Sequence, residues 1–145
     1  MPRRVAIGLL TMLVIAGGVA FGVSSGGHTE SAVPASILKS KPLGVSVAHG
    51  DPAPTSIVYV QTRRKAANVA LSGDTVDTDQ RVDVILATGN FDASGWGPPG
   101  RKGPPIEGKY LSLVIDDATG GILDTGLSNS KPDLGRLGQV QPLDR

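Results

Sequence analysis

The sequence predicts an α+β protein: an N-terminal transmembrane helix, then a small, mostly antiparallel sheet domain with one short helix. Three observations predict it. Residues 5–23 form one apolar run, residues 81–91 and 109–127 carry strand-like patterns around turn residues, and residues 63–71 are rich in helix formers.

The apolar run comes first. Arg3 and Arg4 precede it, and Thr11 is its only polar interruption. At about 1.5 Å of rise per residue, a helix of this length spans the roughly 30 Å hydrocarbon layer. No Lys or Arg recurs until Lys39, so the charge asymmetry predicts a cytoplasmic amino terminus and a carboxy-terminal part outside the cytoplasm. The run is longer than the apolar stretch of a cleaved signal, which favours a retained single-pass anchor. Cleavage after Gly18-Val19-Ala20 or Val23-Ser24-Ser25 is the alternative, and would make the protein secreted. No cysteine follows the run, which excludes a lipoprotein anchor.

Composition narrows the exported part. The whole chain has 14 basic and 13 acidic residues and a pI near 8.1. Without Arg3 and Arg4 the balance is slightly acidic, and Arg63-Arg64-Lys65 is the only dense basic cluster. Nucleic acid is therefore not an expected partner. With no cysteine there is no disulfide staple and no thiolate chemistry. Outside the apolar run the aromatics are Tyr59, Phe91, Trp96 and Tyr110, so the core must be aliphatic.

Four segments follow from these patterns: 1–23 the membrane segment, 24–54 a flexible stalk, 55–128 the exported domain, and 129–145 an irregular tail lying partly against the sheet. The stalk assignment rests on Gly26-Gly27, Pro34, Pro42, Pro52 and Pro54. Within it, Ile37-Leu38 and 43–47 are apolar enough to dock on the domain, with an edge strand as one form of docking. Residues 56–60 are β-branched or aromatic and read as a strand. Thr62 is placed to cap a helix over 63–71, which Gly73 would end. Residues 82–91 read as a strand buried on both faces. In 109–115, Leu111, Leu113 and Ile115 fall on one face and Tyr110, Ser112 and Val114 on the other. Asp116 to Gly121 supplies turn chemistry, and 122–127 returns as the partner strand.

Between the two patterned stretches, residues 92–108 hold four prolines and five glycines in seventeen positions. A loop of that length is usually functional or disordered. Its Trp96, Arg101 and Lys102 are the candidate binding residues: proline stiffening lowers the entropy lost on contact, and an amphipathic ring beside cations suits an interface. The duller possibility is that Trp96 folds back over the sheet edge. Gly95-Trp96-Gly97-Pro98-Pro99-Gly100 spells G-x-G-x-x-G, but two prolines and no following helix defeat the phosphate-binding mechanism. His49-Gly50-Asp51 sets an imidazole near a carboxylate, with nothing to align a nucleophile. Asp116, Asp117 and Asp124 flank the turn, yet turn formation already explains an Asp at 116, and calcium needs about six to eight oxygens. No catalytic residue, metal site or cofactor is expected.

The segment Tyr110-Leu111-Ser112-Leu113-Val114-Ile115-Asp116-Asp117-Ala118-Thr119-Gly120-Gly121-Ile122-Leu123-Asp124 resembles the terminal hairpin of PepSY-type domains, in which a strand ends in an Asp-x-x-Thr-Gly turn before an apolar return. The wider run, 108–128, also resembles small uncharacterised exported or membrane-anchored proteins of high-GC Gram-positive bacteria. The resemblance covers about 20 residues and implies an extracytoplasmic, non-catalytic module with a helix packed on an antiparallel sheet, of a kind that modulates envelope enzymes. It transfers no binding residue. The expected function is a non-catalytic binding or modulator module of the cell envelope, held in the membrane through residues 5–23 and meeting an envelope protein or polymer. An envelope hydrolase and a glycan- or peptide-binding protein are the alternatives.

Overall fold

The computed structural model describes residues 31–96, 99–100, 103–104 and 106–143. The expected membrane segment and residues 24–30 of the expected stalk lie outside them. Among the described residues no helix is long and apolar enough to cross a membrane.

Five strands make one antiparallel sheet: β1 (Ser56–Arg63), β2 (Arg81–Asp92), β3 (Glu107–Asp116), β4 (Ile122–Ser128) and β5 (Gln141–Pro142), in the order β4-β3-β2-β1-β5. Helix α1 (Ala35–Ala48) covers one face and α2 (Arg64–Leu71) the other. The α+β domain is thus present, with two helices where one was expected.

β2 shows why both layers are needed. Every residue from Val82 to Ala87 is buried, so neither face can be left to solvent. Val82, Val84 and Leu86 pack with Val60, Ala67 and Val114 on the α2 side. Ile85 packs with Leu38, Leu113 and Ile115 on the α1 side, and Ala87 with Phe91 and Leu111 at the end of that side. The expected division of β3 into two faces holds, and both faces are covered. The β3–β4 turn uses the expected chemistry: the Asp116 carboxylate accepts from Ala118 N and Thr119 Oγ1, both at 3.1 Å, and Gly120 takes φ +68°.

Helix α1 corrects the expectation of a flexible stalk. Residues 35–48 are helical despite Pro42 and Gly44, and Leu38, Pro42 and Ser46, spaced one turn apart, are the buried stripe. Burial against the sheet overrides the poor helix propensity. Ile37-Leu38 and 43–47 do dock, as a helix and not as an edge strand, with Leu43 and Val47 left facing outward. The helix ends in a Schellman arrangement: Gly50 N and Asp51 N donate to Val47 O and Ser46 O, and Gly50 takes φ +86°.

Two further expectations change. Thr62 does not cap α2, because it is still in β1, opposite Val82. The cap comes from the loop before β2, where Asp79 Oδ1 accepts from Lys65 N at 3.2 Å. The expected tail is irregular over most of 129–143 and lies partly against the sheet, but it also includes a short strand. After a 3₁₀ turn (Leu134–Arg136) that buries Leu134 on the α2 side, the chain crosses to the far edge and adds β5 beside β1. Tyr59 Oη donates to Gln141 Oε1 at 2.9 Å there.

The packing of α1 is testable. Leu38, 2% exposed, sits against Ile85 and Leu113. Leu38→Ala should lower unfolding free energy by about 2–5 kcal/mol in urea titration. A neutral result would return residues 35–48 to the status of a stalk.

Candidate functional site

Two clusters stand out, one at each end of the α1 face. The first joins the end of α1 to the base of the 93–106 loop, and it absorbs the His49-Gly50-Asp51 motif. Asp51 Oδ1 accepts from Ala53 N at 3.0 Å, and its Oδ2 accepts from Asn90 N at 2.8 Å. A Cβ on Gly89 would collide with that Oδ2, so the close approach of the Asp51 carboxylate requires glycine. The backbone amide of Asp92 donates to His49 O at 2.8 Å, and Ala93 N donates to Ile106 O at 2.7 Å, which closes the loop at its base. These bonds fix the helix end to the irregular final turn of β2, where the register with β3 shifts.

His49 then orients Trp96. The indole Nε1–H donates to His49 Nε2 at 3.1 Å, with the rings edge-on, centroids 4.7 Å apart and planes at 84°. Because Nε2 accepts, the imidazole proton lies on Nδ1, which donates to Asp92 O at 2.9 Å. Both ring nitrogens are engaged, so His49 is a support for Trp96 and not a free base. Trp96 remains 41% exposed, on a 3₁₀ turn (Ser94–Trp96) whose start is held by the Asp92 carboxylate, hydrogen-bonded to the Ser94 hydroxyl and amide. Those two donors, hydroxyl first, hold the Asp92 carboxyl below its ordinary range. Beside this support is an open depression of about 390 Å³ with a mixed lining, Phe91 together with the polar side chains of Asn90, Asp92, Glu107, Lys109 and Asn129.

Of the three expected binding residues, Trp96 is placed here, while Arg101 and Lys102 lie outside the described residues. Trp96 leans on the α1 terminus, so it is neither free on a loop tip nor tucked under the sheet. The glycine motif that contains it is followed by β3 and not by a helix. The acids around the β3–β4 turn do not converge: Asp116 serves the turn, Asp117 faces Arg81, and Asp124 faces Arg64 across 3.4 Å. Among the described residues no group of three His, Cys, Asp or Glu side chains could hold a metal ion.

The second cluster was not anticipated from the sequence. Asp83, fully buried in β2, accepts from Ser31 Oγ at 2.6 Å through Oδ2, while its Oδ1 has no partner among the described residues. Asp117 accepts from Ala32 N at 2.8 Å and Gln61 Nε2 at 3.3 Å, and pairs with Arg81 Nε at 3.3 Å. Arg81 also donates to Gln61 Oε1 at 2.7 Å. Two carboxylates thus receive the incoming chain just ahead of α1. The only signal in the sequence was an Asp inside an otherwise apolar strand. Burial is the largest influence on Asp83 and raises its pKa, with the Ser31 hydroxyl the main opposing one and the Asp117 charge adding to the rise.

No protein-family model, curated protein or solved structure matches the chain.

Each cluster predicts a measurement. The chain has one tryptophan, so its fluorescence reports Trp96 alone. His49→Ala should shift the emission to the red and reduce stability by about 1 kcal/mol, the value of one hydrogen bond. A raised folded-state pKa at Asp83 means that ionising it opposes folding. That penalty is absent below the unfolded carboxyl value, grows as pH rises from it towards the folded one, and is constant above both. Asp83→Asn should therefore stabilise the domain at pH 7 and give no advantage at pH 3, as read by urea titration at both.

Proposed function

We propose that the chain is a non-catalytic binding or modulator module of the cell envelope. Residues 5–23 hold it in the membrane as a single-pass anchor, with the amino terminus inside and the domain outside the cytoplasm. The domain meets an envelope protein or polymer at the loop-bearing end of its sheet, through Trp96 with Arg101 and Lys102.

The observation that carries this proposal is the presentation of Trp96. An indole 41% exposed is held by the His49 imidazole, which is itself held by the backbone of β2, so its direction is set before any contact is made. Ordering an aromatic anchor in advance removes an entropy loss from binding, and exposed Trp and Arg are favoured anchors. The adjoining depression offers amide, carboxylate and ammonium groups from Asn90, Asn129, Glu107 and Lys109, which suits a polar polymer or an extended peptide. A helix on an antiparallel sheet agrees with the likeness to PepSY-type hairpins, although helices lie here on both faces. Both ring nitrogens of His49 are already committed, which disfavours this residue as the base of an envelope hydrolase.

Two experiments test the proposal. Full-length chain with Trp96→Ala, and separately with Arg101→Ala and Lys102→Ala, should fold normally and lose the partners that wild type captures from intact envelope. Partners retained by every variant would overturn the assignment of this end of the sheet. Intact-mass measurement of the membrane-fractionated protein should show residues 1–23 still attached, whereas a start between Phe21 and Gly26 would replace the anchor with a cleaved signal.

A further inference from the structure

We infer that the free edge of β4 is a homodimer interface, at which two copies pair antiparallel about Thr125 and join their sheets into one. The two edges of the sheet are treated differently. The β1 edge is closed by the chain itself: β5 pairs with it, Leu143 N donates to Ile57 O at 2.9 Å, and Gly138 packs against Val60 and Gln61. β4 has β3 on one side and no strand among the described residues on the other. Seven residues long, it exposes Ile122 and Thr125 and contains neither Lys nor Pro, the usual guards of an edge. Its one acid, Asp124, points toward Arg64. The register irregularity with β3 is confined to its start, which leaves 124–128 in regular pairing.

A row of edge backbone donors and acceptors is a template for another extended segment, and β4 itself is a matching one. A two-fold axis at Thr125 overlaps all seven residues. It sets Leu123 opposite Leu127 of the second copy, and Asp124 opposite Gly126, which has no side chain to oppose the carboxylate. An axis at Asp124 would oppose two carboxylates, and one at Gly126 would leave Ile122 and Leu123 beyond the partner strand. Antiparallel edge pairing puts the axis perpendicular to the sheet, so both α1 helices, and both points where the chain arrives at Ser31, lie on one face. Two chains held in the same membrane by the anchor proposed above would meet that requirement, and this point alone rests on that proposal. The interface is separate from the Trp96 end and does not depend on it.

The full chain in detergent provides the test. The sequence has no cysteine, so Thr125→Cys places a single thiol on the axis. A short bismaleimide should then yield covalent dimer, and Val69→Cys, exposed on α2, should not. Thr125→Asp and Thr125→Lys each oppose like charges across the axis and should weaken the dimer about five- to tenfold by light scattering. Mixing the two variants should restore it, which a merely misfolded variant would not do. Monomeric wild type at every attainable concentration, equal cross-linking from Val69→Cys, or a dimer indifferent to both charges would each overturn the inference.

Discussion

The burial of β2 on both faces is the constraint on which the rest of the structure depends. An aliphatic strand with six consecutive buried residues cannot end a two-layer packing, so the chain must supply a cover on each side. It has few aromatics and no disulfides with which to economise on area. One cover, α2, has an apolar side suited to the purpose. The other must come from residues 35–48, where proline and glycine argue against helix and packing alone decides the outcome. The C-terminal residues complete the α2 side with Leu134 before they close the sheet.

That constraint explains what was legible in the sequence. Period-two alternation in 82–91 and 109–115, together with Asp-x-x-Thr-Gly turn chemistry, is local information, and it located β2, β3, β4 and their turn. The helical character of 64–71 was local too. What was not legible depends on surfaces that exist only after folding. Pro42 in α1 reads as a breaker until Leu38 and Ser46 are seen on the same buried stripe. β5 is two residues long and includes a proline, so no pattern could announce it. At the candidate site, Trp96 was conspicuous because of its setting among prolines and glycines. His49 beneath it was visible only as half of an unpromising dyad, because its real partners are 43 and 47 positions away.

Charge is spent on anchoring in this domain. Asp51 ties the α1 terminus to Asn90, Asp79 starts α2, Asp92 shapes the Trp96 turn, and Asp83 with Asp117 receives Ser31 and Ala32. A carboxylate accepts several hydrogen bonds at once, so one side chain can hold two segments together where a disulfide would otherwise be needed. Asp83 differs from the others in being fully enclosed. Its Oδ1 has no partner among the described residues, so this carboxylate is held at a cost in stability.

Strand order also has a kinetic side. β1 through β4 pair as sequence neighbours, so the body of the sheet forms from short-range closures. The β1–β5 pairing joins residues more than eighty positions apart, as Tyr59 and Gln141 show. A chain made from its amino terminus therefore holds a nearly complete sheet whose β1 edge stays open until residues 141–143 arrive. During that interval the nascent domain presents two bare edges instead of one. Pairing of Gln141 and Pro142 with Tyr59 and Val58 is thus the long-range step that covers this edge.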